Sequence, residues 1–411
     1  MSALSDRLKS LGVQLGASQL PPPRPKTRPE YPVEAVVPGR FQATPEGPVF
    51  VAETCWPEQH RHGQAALQVT AALQVMAEWA QDKRVAECAA HTLAFLDTET
   101  TGLAGGTGTY AFLVGIGGFV EGQFRLVQLF MRDPVEEPAQ LAALAELLPP
   151  GGALVTFNGK AFDVPLLNTR YITNGARSPL AGLPHLDLLP LARRLWRDRL
   201  PSRALGYLEQ HILGVLRTQE DVPGWMIPGL YFDYLRSGDA RPLQRVFYHN
   251  AMDVLALAAL FSHQARLLDD PLNARLEHGL DWVALADLFK ELGRLEVAGQ
   301  LYTLGLAHEL PDEARRAAVQ RLAWVHRRLG HPAASLELWR QAAGQQQLYA
   351  HVELAKYFEH HERDFAQAHH WTQQALDLLT GLPLPEAERR QWRHDLEHRQ
   401  ARLKRRLGRL G

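Results

Sequence analysis

Residues 91–103 read HTLAFLDTETTGL, an apolar run that ends in two carboxylates, Asp97 and Glu99, one residue apart. A run such as HTLAFL has the composition of a buried strand, and in a strand residues i and i+2 share a face, so the two acids point the same way. Like charges placed so repel unless a cation sits between them or one of them keeps its proton. A D-x-E pair alone fits equally a strand end fraying into solvent, with Thr98, Thr100 and Gly102 making a turn. The rest of the chain decides which.

At 411 residues the chain is long for one domain, and a prior of roughly 150 residues per domain implies two or three. Hydrophobic content of 46% and charged content of 22% are those of a globular protein. A formal net charge of −1 gives no overall field for a polyanion, so a nucleic-acid site must be a local basic patch. Two cysteines, Cys55 and Cys88, supply neither a disulfide framework nor a four-ligand zinc site. MSALSDRLKSLGVQLG lacks the apolar core of a signal peptide, and no run of about 18 apolar residues occurs. These features predict a cytoplasmic protein with no membrane span.

The strand at 91–96 belongs to an alternating region. YAFLVGIGGF and QFRLVQLF, separated by Val120–Gly122, read as a hairpin; a helix follows from Glu137 to Leu148; ALVTFN then returns parallel to the first strand. A mixed sheet flanked by helices is the expected class. Residues 165–260 read as mostly helical. Upstream, PPPRPKTRPEYPVEAVVPG predicts an extended connector at about 20–45, and the spacing of QAALQVTAALQVMAEWAQDKRVAECAA predicts one long helix ending near Ala90. Beyond about residue 275 the strands stop, and Ala298, Ala334 and Ala368 align near the 34-residue tetratricopeptide period, each followed by an aromatic (Tyr302, Trp339, Trp371). The expected units are 1–45 as segment and linker, 46–90 as a helical lead-in, 91–270 as an α/β domain, and 275–411 as all-α repeats.

Two further segments carry acids where burial is expected. ALVTFN runs into NGKAFDVPLL, setting Asn158 and Asp163 around a turn before a helix, where Asp163 is also a natural N-cap. RVFYHNAMDVLALAALF is an apolar helix with one acid, Asp253, and a buried carboxylate needs a cation or a hydrogen-bond donor. Four carboxylates at strand ends or on sheet-packing helices, with no matching lysines, are best explained by a hard divalent ion such as Mg²⁺. Two such ions about 3.5 to 4 Å apart activate water and stabilise the leaving oxygen in phosphodiester cleavage.

The order of D-x-E in LAFLDTETTGL, N-x-x-x-F-D in LVTFNGKAFDVPLL, and a histidine four residues before the aspartate of YHNAMDVLAL resembles the three motifs of the DEDD exonuclease superfamily on the ribonuclease H fold. With SRALGYLEQHILGVLR and PGLYFDYLRSGD, the chain is most similar to the YprB-type branch, which joins such a domain to tetratricopeptide-like repeats. The resemblance covers about residues 91–262 closely and the C-terminal part in architecture. It implies a 3′-to-5′ exonuclease in which Asp97, Glu99, Asp163 and Asp253 bind two Mg²⁺ or Mn²⁺ ions, acting on single-stranded DNA or RNA, with a general base just before Asp253. The superfamily places a histidine five residues before the last aspartate or a tyrosine four before it. This chain has Tyr248 at five and His249 at four. Helical geometry favours His249, because residues four apart share a face.

Thr100, Asn158, Arg193, Arg194 and Tyr248 are candidate substrate contacts, and the cluster Arg193–Arg203 either grips a phosphate backbone or forms a solvated helix face. His185 and Asp187 in PHLDLLPLARR either touch the site or, for the aspartate, fill a buried structural role, and neither is counted as catalytic. AGGTGT at 104–109 lacks the lysine of a phosphate loop and reads as a turn beside the first motif. The basic C-terminal helix, with Arg402, Lys404, Arg405, Arg406 and Arg409, either caps the repeats or grips nucleic acid, and the array offers a face to a protein partner. A ribonuclease H-type endonuclease and an inactive scaffold are the competing functions.

Overall fold

The computed structural model describes residues 31–57, 59–102 and 108–408. A seven-stranded sheet has the order β1-β2-β7-β6-β5-β8-β9, with β1 (Arg40–Thr44), β2 (Gly47–Pro57), β5 (Leu93–Thr100), β6 (Ala111–Val120), β7 (Gln123–Phe130), β8 (Ala153–Thr156) and β9 (His185–Asp187). The β6–β7 hairpin is antiparallel and β8 runs parallel to β5, as the sequence predicts. A small ladder of β3 (Arg61–His62) and β4 (Ala65–Ala66) stands apart. The fold is a ribonuclease H-like α/β domain followed by an all-helical region.

Alternation along β5 explains how the sheet is covered. Leu93 and Phe95 join the core formed with α6 (Leu243–Asp269), while Ala94 and Leu96 join that of α2 (Glu137–Leu147) and α3 (Asp163–Thr173). Helix α6 approaches the sheet closely because β6 carries glycines beneath it. A Cβ on Gly115 would stand 2.3 Å from Asn250 Oδ1, and one on Gly117 2.9 Å from Val254 Cγ1.

Two expectations are corrected. The Pro-rich stretch from 31 onward is not a connector throughout, since β1 pairs residue for residue with β2; residues 1–30 lie outside the described residues. The segment 63–90 is not one helix. It holds β4, α1 (Gln74–Ala80) and 3₁₀ turns, because its backbone is bonded elsewhere: Gln64 N–H to Leu213 O at 2.7 Å and Leu67 N–H to His60 O at 2.9 Å, with α1 closed by Gln81 at φ 57°. Tertiary bonds override the helical period there. The stretch 165–260 is mostly helical, as the sequence predicts, with the three-residue β9 followed by α4 (Leu188–Trp196) and then α5 (Ile227–Ser237).

The C-terminal region is three helix hairpins, α7 (Gly279–Glu291) with α8 (Leu295–Leu306), α9 (Asp312–Arg328) with α10 (Pro332–Gly344), and α11 (Leu348–Tyr357) with α12 (Phe365–Gly381), closed by α13 (Glu386–Leu407). Each connection turns through a left-handed residue two positions before the second helix: Gly293, Gly330 and Arg363. Counted from the helix starts, the small buried residue at the fourth position is Ala298, Ser335 and Ala368, so the middle unit is phased on Ser335 rather than Ala334. The Ser335 hydroxyl lies in the hairpin and donates to Ala323 O across 3.1 Å.

The expected boundary near 270–275 cuts through a core. One cluster holds Phe95, Leu257 and Phe261 together with Trp282, Leu285, Phe289, Leu301 and Leu322, and Arg199 bonds Asp281 across 2.7 Å. A chain ending at residue 274 is therefore expected to aggregate or lose roughly 10 °C or more of thermal midpoint, as the loss of several kcal/mol of apolar burial requires. A chain ending at 346 is expected to keep the first transition. Equal midpoints for the two would refute the shared core. Gly115→Ala is expected to cost about 1–3 kcal/mol in chemical denaturation by overpacking against Asn250.

Candidate active site at the end of the central strand

Asp97 and Glu99 stand on the α6 side of β5, opposite Gly115 and Leu113 of β6, just before the register shifts at Glu99/Thr100. Asn250, fully buried on α6, donates from Nδ2 to Asp97 Oδ2 across 2.9 Å, and Gln128 Nε2 holds its Oδ1 at 2.9 Å. The same helix presents His249, one residue before Asn250, and Asp253, about one turn after it. Asp163 opens α3, across the sheet, where the hydroxyl of Thr98 donates to its Oδ1. Three elements thus bring four carboxylates to one sheet end.

The electrostatics are those of crowded, buried like charges. Burial, then Asp253, Glu99 and Asp163, raise the Asp97 pKa well above the usual carboxylate range. Burial pushes Glu99 up to about 8, partly opposed by His249, and burial also raises Asp163. Burial disfavours the imidazolium of His249, but Asp253, Glu99 and Asp221 outweigh it and its pKa is raised. Asp221 is lowered because His249 and Arg217 outweigh its own burial.

Among residues named from sequence, His249 joins the acids: its Nδ1 donates to Asp221 Oδ1 across 2.6 Å and its Nε2 lies 3.4 Å from Asp253 Oδ2. Tyr248 does not; its hydroxyl accepts from Thr218 at 3.2 Å, and its ring lines a separate 530 Å³ cleft with Trp56 and Met252. Asn158 and Arg193 line a cleft of 430 Å³ with Asp97, Asp253 and Arg203, and Thr100 lines a second, of 510 Å³, with Thr98, Phe162 and Asp163. Arg194 instead bonds Glu291 of α7 across 2.8 Å, so it fastens the helical region to α4. Asp187 accepts from the backbone N–H groups of Asn158 (2.7 Å) and Leu189 (3.1 Å), a structural role, and His185 Nε2 bonds Thr156 Oγ1 at 2.8 Å. The turn at 104–109 falls largely outside the described residues.

Sequence reading passed over Arg217, Asp221 and Glu209. Arg217 bonds Asp253 Oδ1 and, across 2.6 Å, Glu209 Oε2. The available signal was Glu209 inside LGYLEQHILGV, an acid in a stretch that wants burial, the same sign that singled out Asp253.

These residues fit a hard divalent ion. One ligand atom each of Glu99, His249 and Asp253 lies within 4.8 Å of the others, and Asp97 and Asp163 add oxygens at the same end of β5. Carboxylates must lose their protons to ligate, so metal binding is expected to release protons and tighten as pH rises to about 8, where Glu99 titrates. Calorimetry in two buffers of different protonation enthalpy measures this; equal heats would contradict it. Metal-free, the folded protein binds a proton at Glu99 that the unfolded chain has lost above about 4.5. The contribution of Glu99 to stability therefore falls as pH rises from there to about 8. Asp97→Asn is expected to leave that stability unchanged or raised, read as the metal-free thermal midpoint.

Comparison with known proteins accords with this geometry. Residues 94–265 match the family model of the RNase H superfamily. Over 367 residues the chain is 32% identical to the uncharacterized protein YprB of Bacillus subtilis (strain 168), covering 87% of this chain and 86% of that one. An acid-lined sheet end on a ribonuclease H-like fold, inside a sequence alike over nearly its full length, means that this chain belongs to the YprB family, with a nuclease-superfamily domain at its centre.

Proposed function

We propose that the protein is a metal-dependent 3′-to-5′ exonuclease acting on single-stranded DNA or RNA. The observation that carries this reading is the convergence of Asp97, Glu99, Asp163 and Asp253 with His249 at the end of β5. The four carboxylates hold two Mg²⁺ or Mn²⁺ ions. When bound, such ions activate water and stabilise the leaving oxygen of a phosphodiester. His249 accepts the water's proton at Nε2, since Nδ1 is engaged by Asp221. Arg193 and Arg203 beside Asp97 and Asp253 meet the strand's phosphates. The three hairpins form a tetratricopeptide-like array that recruits a protein partner.

End-labelled and circular single strands incubated with Mn²⁺ test this. Degradation of the linear strand alone supports the exonuclease; cutting of both indicates an endonuclease, and cutting of neither a scaffold. A block on the 3′ end stops the reaction if the polarity is as proposed, and matched DNA and RNA strands resolve the sugar. His249→Ala is expected to lower turnover by roughly 10² to 10⁴ and to remove the acidic limb of the pH–rate profile. Tyr248→Phe is expected to change turnover little. The reverse ranking would sink the assignment of the base.

A further inference from the structure

We propose that Arg217, braced by the buried Glu209, is a positioning residue that fixes how Asp253 and His249 are presented. The inference rests on the nuclease reading above for what the site does, and on geometry alone for how it is held. Arg217 Nη2 donates to Asp253 Oδ1, and Arg217 Nη1 lies 3.4 Å from Asp221 Oδ2. Asp221 Oδ1 accepts from His249 Nδ1 across 2.6 Å, and His249 Nε2 lies 3.4 Å from Asp253 Oδ2. The four side chains form a closed ring in which each carboxylate uses one oxygen toward Arg217 and the other toward His249. The ring fixes which oxygen of Asp253 faces Glu99 and which imidazole nitrogen faces the site.

A ring holds geometry only if one member is itself fixed, and that member is Arg217. Its Nε donates to Glu209 Oε2 across 2.6 Å, and His62 Nε2 donates to Glu209 Oε1, also across 2.6 Å. Glu209 is 1% exposed, so withdrawal of Arg217 would leave a buried carboxylate short of its main cation. The β3–β4 ladder that carries His62 is held against this corner, since a Cβ on Gly63 would stand 1.9 Å from Leu213 O. A planar guanidinium supplies three directed donors to Glu209, Asp221 and Asp253, whereas a lysine ammonium is a point charge that cannot hold all three in register. The class of role is that of partners that orient ligands, where substitution typically changes metal affinity or activity by about 10- to 100-fold.

The test uses the full-length protein with Arg217→Lys and Arg217→Gln, with Glu209→Gln as a milder change should either fail to fold. Mn²⁺ affinity by calorimetry, metal-free thermal midpoint, and kcat and KM on a single-stranded oligonucleotide are read together. Arg217→Lys, which keeps the charge and loses the fork, is expected to weaken Mn²⁺ binding by about 10-fold and lower kcat by about 10- to 100-fold, with KM within about twofold. Arg217→Gln, which loses the fork as well as the charge, is expected to lower kcat at least as much as Arg217→Lys. Glu209→Gln, which leaves the fork but loosens its brace, is expected to weaken Mn²⁺ binding and lower kcat by less than Arg217→Lys. Arg217→Lys within about twofold of wild type in both affinity and kcat overturns the proposal, because charge alone would then suffice. Losses of activity that only follow the loss of folded protein, with Mn²⁺ affinity of the folded fraction unchanged, overturn it as well. Should the wild-type protein cleave nothing, the nuclease reading fails while the Mn²⁺ affinities still decide the role of Arg217.

Discussion

Four carboxylates enclosed at one end of a sheet are the constraint around which the domain is arranged. Removing ionised groups from water costs several kcal/mol each unless partners replace the solvent, and mutual repulsion adds to that cost. The fold answers with a different partner for three of the four acids. Asp97 receives Asn250, Asp163 receives Thr98, and Asp253 receives Arg217 and His249. What those donors leave uncompensated appears as the raised pKa values of Asp97, Glu99 and Asp163. A cation is the one addition that relieves all of them together, which is why the apo arrangement reads as a metal site.

Helix α6 carries this arrangement into the rest of the molecule. At 27 residues it extends about 40 Å, long enough to supply the site at its first turns and the interdomain core at its last. Its N-terminal half lies over Gly115 and Gly117, and Leu257 and Phe261 further on pack into the cluster that includes Trp282 and Phe289. The repeats are therefore built on the same helix that positions Asn250, His249 and Asp253.

What was legible in the sequence follows from which forces act locally. The strands β5 to β8 announce themselves as short, nearly continuous apolar runs and α6 as a long one, with Asp97 and Glu99 interrupting β5 and Asp253 interrupting α6. The face shared by His249 and Asp253 follows from helical geometry once α6 is known to include residue 248. Residues 63–90 misled because their apolar spacing is helical while their backbone bonds go to Leu213 and His60, partners distant in sequence or brought near by a turn. Phasing of the second hairpin by one residue was hidden because Ser335, a polar residue, takes the small-residue position and satisfies its hydroxyl on Ala323 O. Arg217 was invisible for a like reason: its three acidic partners lie on different segments, and only the fold brings them together.

Charge is also spent locally. The formal charge of −1 leaves no global attraction for a polyanion, and much of the arginine cluster from 193 to 203 turns out to be structural. Arg194 and Arg199 tie α4 to α7 through Glu291 and Asp281, and at the far end Arg399 and Arg402 close α13 onto the buried Glu359. Arg193 and Arg203 are the members of the cluster that line the cleft with Asp97 and Asp253. Against the carboxylates of Asp97 and Asp253 in the same lining, those two guanidinium groups give the cleft no excess of positive charge to attract phosphate. Neutralisation of the acids must come first, so in the proposed reaction the ions that make cleavage feasible are also what makes the cleft able to receive a strand.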